Sequence, residues 1–360
     1  ASTGTSVVLV QGASVGDTLE LLVHDIFSVA DSVSAKDGGT FSGTIAAAGL
    51  STSSLGTSNF RAGVNAGNSI EAGGNYNVTV GDEAGTAITT GDNNVAVGYA
   101  ALDANNTGSS NVAIGYNSLT ANTTASGNVA VGQQTLLSNT TGATNTALGH
   151  TAMNQNTEGA NNVAVGNSAL ANNSTASNNT AVGKGAMFAN TTGAQNTAVG
   201  RLALDANTTA NENTAIGNSA LGANTEGASN TAVGSGALSA NTTASHNVAV
   251  GDSALTANTT GHSNVAVGYK ALTTNVDGDG LTAIGFEALE NFEPSDGLRY
   301  TTAVGYQAGK ACTSGGDNVF VGGQAGLATT DGNNNVAIGK LALSTNVQGD
   351  RNVAVGYEAL

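Results

Sequence analysis

The chain has 360 residues, of which 51 are Gly, 9% are charged and only 4% are aromatic, with no Trp and a single Pro. So few large side chains exclude a thick globular core, whereas an apolar content of 39% suits a thin, elongated core. The net charge of −16, without a cluster of Lys or Arg, argues against partners such as nucleic acid or anionic lipid. No apolar stretch is long enough for insertion into a membrane as a spanning helix.

Residues 1–59 differ in composition from the rest of the chain. In the stretch "TLELLVHD", the residues Leu19, Leu21 and Val23 alternate with others and predict a strand; a helix over residues 19–34 is the alternative. Residues 46–59 are rich in Ser, Gly and Thr and predict a linker. We therefore expect a small β-rich module that attaches the remainder to a neighbouring protein. Because the chain starts without Met and stops within a repeat, we also expect it to be a processed or partial chain.

Residues 60–360 form a second region, which is dominated by a short sequence repeat. Its consensus is N-[VT]-A-[VI]-G-x-x-A-L-x-x-N-T-T-[GA]-x-x, and the fifth-position Gly recurs from Gly81 to Gly285 and, after an insertion, from Gly305 to Gly356. A fixed period is typical of solenoids, and a unit this short cannot contain the two helices of a helical repeat. The alternation in "NVAVG" indicates a strand. The sequence therefore predicts an all-β fold, a parallel β-solenoid or β-roll of 17-residue coils.

The positions of the repeat are assigned to faces by their residue types. The fourth position is Val, Ile or Leu throughout, as in Val97, Ile114 and Leu148, and is predicted to be core, as is the ninth, which is mostly Leu. The second position shares the face of the fourth and is expected to be partly buried. The third position is nearly always Ala and lies on the opposite face. Because one chain has one lumen, Ala and the fifth-position Gly are predicted to pack against another copy, in an intertwined or side-by-side homotrimer.

The twelfth position is Asn in most repeats, and two interpretations are open. An Asn can occupy a left-handed turn, or it can point inward and stack with its equivalents in a ladder. Where Asn is lost, the replacements include Ile88, Phe292 and Cys312, and large apolar residues do not suit a solvated turn. This favours the ladder, in which buried amides cannot be glycosylated. Its members include Asn105, Asn122, Asn139, Asn190, Asn207, Asn224 and Asn241.

An irregular coil at residues 281–300 contains the single Pro and three additional residues. Insertions in solenoid corners are frequent binding sites, so Phe292, Arg299 and Tyr300 are candidate receptor contacts; a neutral loop is the alternative. Aromatic residues also recur at the sixth position of the repeat, where they form a sparse stripe that either packs on the surface or contacts sugars. The stripe comprises Tyr99, Tyr116, Tyr269, Phe286, Tyr306 and Tyr357.

No residues with the spacing of a catalytic or metal site stand out. The four His residues are scattered, the only Cys is Cys312, and two stretches that resemble calcium-binding turns lack the regular Asp-bearing repeats of calcium-binding solenoids. We therefore expect no catalytic residue, no cofactor and no metal, and a protein that is not an enzyme. A polysaccharide-degrading β-solenoid is a further alternative, but such enzymes carry clustered carboxylates and aromatics in a groove.

The units "NVAIG" at 111–115 and 335–339 and "NTAIG" at 213–217 resemble the "NTAVGxxAL" repeats of tail-fibre proteins from phages of marine cyanobacteria and related bacteria. They resemble more distantly the head repeats of trimeric autotransporter adhesins, whose "VAIG" units form trimeric left-handed parallel β-rolls. The resemblance covers residues 77–360. It departs from the adhesins in the length of its period, because the adhesin unit is shorter.

This resemblance implies a structural fibre shaft, part of a phage tail fibre that reaches and contacts the host surface. It implies a virion or extracellular location, a homotrimer, and attachment to other fibre or baseplate proteins through the amino-terminal module. Host surface glycans are an expected partner of such a fibre. The alternative is a bacterial cell-surface adhesin or a self-assembling extracellular fibril.

Overall fold

The computed structural model describes residues 50–51, 55–293 and 300–360, and in this part of the chain it contains 19 strands and no helix. Strand β1 (Leu50–Ser51) pairs antiparallel with β2, and β2 to β19 form one continuous parallel stack. The parallel β-solenoid predicted from the repeat is confirmed. The stacked strands are β2 (Phe60–Ala62), β3 (Val78–Val80), β4 (Val95–Val97), β5 (Val112–Ile114), β6 (Val129–Val131), β7 (Thr146–Leu148), β8 (Val163–Val165), β9 (Thr180–Val182), β10 (Thr197–Val199), β11 (Thr214–Ile216), β12 (Thr231–Val233), β13 (Val248–Val250), β14 (Val265–Val267), β15 (Thr282–Ile284), β16 (Thr302–Val304), β17 (Val319–Val321), β18 (Val336–Ile338) and β19 (Val353–Val355).

The coils stack in strict register. Each strand of the parallel stack has three residues and pairs with the equivalent residues of the next coil, so that Ala96 lies opposite Ala113 and Ala113 opposite Ala130. The insertion in the irregular coil does not disturb this register, because Ala283 still pairs with Ala303. Eighteen parallel strands at ~4.8 Å spacing give a stack about 80 Å long.

The remainder of each coil consists of turns whose backbone groups bond to neighbouring coils. Positive φ angles recur at the fifth, seventh, ninth and seventeenth positions, as in Gly98 (131°), Ala100 (50°), Leu102 (55°) and Ser110 (59°). A side chain on Gly98 would place its Cβ 2.6 Å from the Gly115 carbonyl oxygen, which explains the glycine at this position. The amide of Leu102 donates to the Ser118 carbonyl of the next coil at 3.0 Å. Left-handed Leu is unfavourable by itself, so this backbone depends on the stack around it.

The interior faces of the coil differ from the sequence-based assignment. The ninth-position Leu side chains are fully buried, as predicted, but the fourth-position side chains point outward: Ile114 is 38% exposed and Leu148 is 47% exposed. The third-position Ala, such as Ala198 and Ala215, lies in the lumen of its own chain with no exposed surface. The assignment of the second to fourth positions was therefore inverted. So short and flat a coil leaves room only for a methyl group opposite the ninth-position Leu.

This inversion also removes the original reason for expecting a neighbouring chain at the Ala and Gly positions. The Ala side chains pack inside their own coil, and the fifth-position Gly approaches the backbone of the adjacent coil in the same chain. The restriction of both positions to small residues thus follows from packing within a single solenoid. Their residue types carry no information about a second copy.

A departure from the repeat shows how tightly the lumen is filled. In β17 the third position is Phe320, which is fully buried. The two nearest ninth positions are Gly309 and Gly326 rather than Leu, and a Cβ on Gly326 would lie 2.4 Å from the Phe320 ring. The ring therefore occupies the volume that two Leu side chains fill elsewhere, and the packing density is kept.

Candidate functional site

The twelfth-position Asn side chains form a buried ladder through the middle of the solenoid. Asn122 Nδ2 donates to Asn105 Oδ1 at 2.8 Å, and Asn207 Nδ2 donates to Asn190 Oδ1 at 2.8 Å. The same nitrogen donates to the fifteenth-position carbonyl of its own coil, as from Asn207 to Ala210 at 3.1 Å. Both amide hydrogens are therefore used. The row continues without a break over Asn105, Asn122, Asn139, Asn156, Asn173, Asn190, Asn207, Asn224, Asn241, Asn258 and Asn275, all fully buried.

A second buried row, at the first position of the repeat, was missed by the sequence analysis. The backbone amide of Asn94 donates to Asn77 Oδ1 at 2.9 Å, and Asn94 Nδ2 donates to the Gly108 carbonyl at 2.9 Å. That carbonyl also accepts from Asn105 Nδ2 at 2.9 Å, so the two rows meet at the fifteenth position. The recurrence of Asn at the first position was the available signal. An Asn that precedes a strand is equally typical of a turn, so its recurrence did not by itself indicate a buried row.

The breaks in the twelfth-position row are filled by other buried side chains. Phe292, Cys312 and Thr329 have no exposed surface. The Cys312 thiol contacts the Gly315 carbonyl at 3.3 Å, and burial raises its pKa to about 12. The thiol is therefore protonated at neutral pH and unreactive.

The three candidate receptor contacts do not form one surface site. Phe292 is buried in the lumen and is not available to a receptor, because it fills the place of a ladder Asn. Arg299 lies outside the described residues. Tyr300 is 62% exposed, and its ring lies beside Gly280, where an added Cβ would be 2.8 Å away. Of the three, Tyr300 is the one that the structure places on the surface.

The outward side of the strands forms what we call the outer β-face, made of the second- and fourth-position side chains of β2 to β19. Two side chains on each of 18 strands give 36, and none of them is charged. They are Val, Thr, Ile, Leu, one Phe and one Ala. Most are half-buried by their neighbours, and the larger ones, such as Leu148, protrude. The chain therefore presents a long uncharged stripe in spite of its net charge of −16.

The sixth-position aromatics form two short stacks on the surface. The ring centroids of Tyr99 and Tyr116 are 5.6 Å apart, and a second stack joins Tyr269, Phe286 and Tyr306 with centroid distances of 5.2 and 5.4 Å. The sequence-predicted stripe is thus divided into separate groups.

A charged network lies beside the second stack. Lys310 pairs with Glu287 and, at 3.1 Å, with Glu290. The hydrogen bond from Lys310 lowers the pKa of the Glu287 carboxyl. The Lys270 ammonium lies 5.4 Å from the centroid of Tyr269. This part of the surface therefore combines exposed ring edges with both signs of charge.

A depression of about 230 Å³ opens where the seventh position is Gly185. Phe188 and Leu202 line it with apolar side chains, and Lys184 and Asp205 line it with charged ones. Partial burial raises the pKa of the Asp205 carboxyl. The depression has room for a small molecule at most.

Within the described ranges, no group of three or more His, Cys, Asp or Glu could hold a metal ion. The same residues include no helix long and apolar enough to cross a membrane. No protein-family model, curated protein or solved structure matches the chain.

Proposed function

We propose that the chain is the shaft of a structural fibre, part of a phage tail fibre that reaches and contacts the host surface. The observation that carries this proposal is the unbroken parallel stack of 18 strands, in which every coil bonds to the next through its backbone and the coils of the middle of the shaft also bond through buried amides. Its role is reach and stiffness, without catalysis.

The two Asn rows support stiffness. Bending the stack would open hydrogen bonds on one side of the lumen, and a buried amide that loses its partner costs about 1–3 kcal/mol. In the middle of the shaft each coil contributes one amide-to-amide bond in the twelfth-position row and one backbone-to-amide bond in the first-position row, as at Asn207 and Asn213. A row of such bonds resists bending along its whole length.

The same proposal includes the location and the neighbours expected from the tail-fibre resemblance. The fibre belongs to a virion or to another extracellular structure, and residues 1–59 attach it to other fibre or baseplate proteins. A bacterial surface adhesin or a self-assembling extracellular fibril is the second candidate, because a stiff solenoid serves these roles equally well.

The outer β-face supports assembly into a homotrimer. It is about 80 Å long and has an exposed area on the order of 1,000 Å², compared with the ~800 Å² per partner that a stable interface buries. Contiguous exposed patches of this size mark interaction sites. A second copy fits better than a charged partner, because two uncharged faces of equal length match each other in every coil while their charged side chains stay in water.

Sedimentation velocity on the full chain tests this assembly. Introducing two carboxylates into the face, with Ile216→Glu and Val250→Glu together, should convert a trimer into monomers while the strand signal in circular dichroism is retained. Ser235→Glu adds a carboxylate at the exposed sixth position and should leave the trimer intact. A monomeric unmodified chain, or a trimer that survives both face substitutions, would contradict the assignment.

Electron microscopy of native particles tests the fibre role. Antibody-labelled chain should appear as a thin rod, with a repeat region about 80 Å long, attached to the tail of a virion. A label on a cell envelope instead would favour the adhesin or fibril. A compact, globular chain would rule out both.

A further inference from the structure

The sixth-position row contains one vacancy that the fold does not require. In successive coils the row reads Tyr269, Phe286, Tyr306, Gly323, Lys340 and Tyr357, and Gly323 is the single glycine in the row. An added Cβ at Gly323 would meet no atom within 4 Å, and its φ is not in the positive range. A side chain would fit here without strain, and glycine costs backbone entropy.

The vacancy forms a slot between two coils. Its floor is Tyr306, which is 54% exposed and whose other side is covered by Phe286 at a centroid distance of 5.4 Å. Its roof is the exposed side chain of Lys340, two coils away at ~9.6 Å. Where two consecutive sixth positions are both aromatic, their ring centroids lie 5.2–5.6 Å apart. The slot between Tyr306 and Lys340 therefore has room for one further ring.

Polar groups at the slot have unused bonding capacity. Gln324, next to the vacancy, donates to Gln307 Oε1 at 3.1 Å, and its own Oε1 accepts no hydrogen bond from the described residues. The Lys340 ammonium lies 5.9 Å from the Tyr357 ring centroid, and in the described part of the chain no carboxylate is within ion-pair distance of it. The slot thus combines a ring face, a hydrogen-bond acceptor and a cation without a counter-ion.

We infer that this slot binds a pyranose ring that carries a carboxylate, such as a hexuronate unit of an acidic polysaccharide. The apolar face of the sugar stacks on Tyr306, a hydroxyl donates to Gln324 Oε1, and the carboxylate pairs with Lys340. The inference rests on the proposed function, since it specifies the class of host glycan that the fibre contacts. A single-ring site is weak, with a dissociation constant of about a millimolar. Several copies in one fibre raise the apparent affinity.

The experiment is an NMR titration of the full chain with a linear galacturonate trimer and with its carboxyl-reduced, neutral form. The acidic trimer should bind, and the neutral form should bind at least about tenfold more weakly, since it lacks the charge-assisted bond. Gly323→Tyr fills the slot with a ring that stacks on Tyr306, so it should abolish binding while the melting temperature stays the same or rises. Lys340→Gln should remove the preference for the acidic trimer.

Ser235→Tyr is the matched control, because it adds the same side chain at the same position of a regular coil. It should leave binding unchanged. The inference is overturned if neither trimer binds, if both bind equally, or if Gly323→Tyr and Ser235→Tyr bind alike. Electron microscopy of the same samples distinguishes failure of this inference from failure of the proposed function. Rods that do not bind sugar overturn the binding slot alone. A chain that forms no rod overturns the shaft.

Discussion

The middle of the shaft and its carboxy-terminal coils fill the same lumen in different ways. From Asn105 to Asn275 every coil repeats the same interior set of Asn, Ala, Leu or Met, and Asn, and both amide rows are continuous up to Asn264 and Asn275. In the following coils the first position becomes Leu281 and Thr301, and the twelfth position becomes Phe292, Cys312 and Thr329. The strand register is the same in both regions.

This difference shows that the volume of the lumen is constrained more strongly than its chemistry. Large apolar residues replace amides, and glycine appears at the ninth position where Phe320 enters the third. The amide rows nevertheless satisfy their polar groups better. Thr329 Oγ1 is buried without a hydrogen-bond partner, whereas the side-chain nitrogens of the Asn rows have partners. The regular region is specified by hydrogen bonds, and the irregular region by shape.

The largest expected effect comes from placing a charge in the amide row. Asn207→Asp replaces a donor to Asn190 and to Ala210 with a carboxylate in a dry interior. The free energy of unfolding should fall by about 3–5 kcal/mol, as for a buried charge without a partner. Urea denaturation followed by circular dichroism measures it. The control is Asn172→Asp at the partly exposed eleventh position, which should be nearly silent. Equal losses for both variants would contradict the ladder.

Removing the ring that fills the irregular region should cost nearly as much. Phe320→Ala leaves a cavity and should destabilise the chain by about 3–5 kcal/mol. The loss should be largely recovered when Gly309→Leu and Gly326→Leu are added, since these restore the regular interior. Gly309 and Gly326 have φ angles of 60° and 61°, close to the 54° of Leu343 at the same position. Thermal unfolding of the single and triple variants tests this; no recovery in the triple variant would show that volume is not the constraint.

Overpacking the regular region should have a smaller effect for each site. Ala198→Leu and Ala215→Leu add side chains to a lumen that has no room for them, and each should cost about 1–3 kcal/mol. The adjacent outward changes Val199→Leu and Ile216→Leu should be tolerated, because these side chains lie outside the filled lumen of their own chain. The midpoints of urea denaturation are compared between the inward double variant and the outward double variant, and the inward one should have the lower midpoint. A lower midpoint for the outward pair would contradict the placement of the third position inside the lumen and of the fourth position outside it.

The smallest effect concerns pH. Asp103 Oδ1 is buried without a hydrogen-bond partner, and burial raises the pKa of this carboxyl. A raised pKa in the folded state means that this group's contribution to stability is present below its unfolded pKa and is lost as pH rises through the folded value.

Asp103→Asn should therefore be more stable than the unmodified chain at pH 7, and the difference should disappear below a pH of about 3.9. The exposed Asp252→Asn removes the same charge and serves as the control. Melting temperatures measured from pH 3 to 8 give the comparison. A difference between Asp103→Asn and Asp252→Asn that does not depend on pH would exclude the titration of Asp103 as its cause.

Much of the candidate surface could not be predicted from the sequence. The sixth-position aromatics were recognised as a stripe, but their division into stacks and the open slot at Gly323 depend on which residues are neighbours in consecutive coils. Phe292 was assigned both to the interior row and to a receptor contact, and one side chain cannot occupy both places. Its burial removes it from the surface.

By itself the sequence determined the period, the parallel stack, and the inward direction of the twelfth position, because Ile88 and Phe292 in place of Asn are incompatible with a solvated turn. Only the tertiary structure decided which side of each strand is interior. Alternation separates the Ala from the two branched residues around it, but it has the same period whichever side faces the lumen. The choice depends on the width of the closed coil, where a methyl group fits opposite Leu and a branched side chain does not.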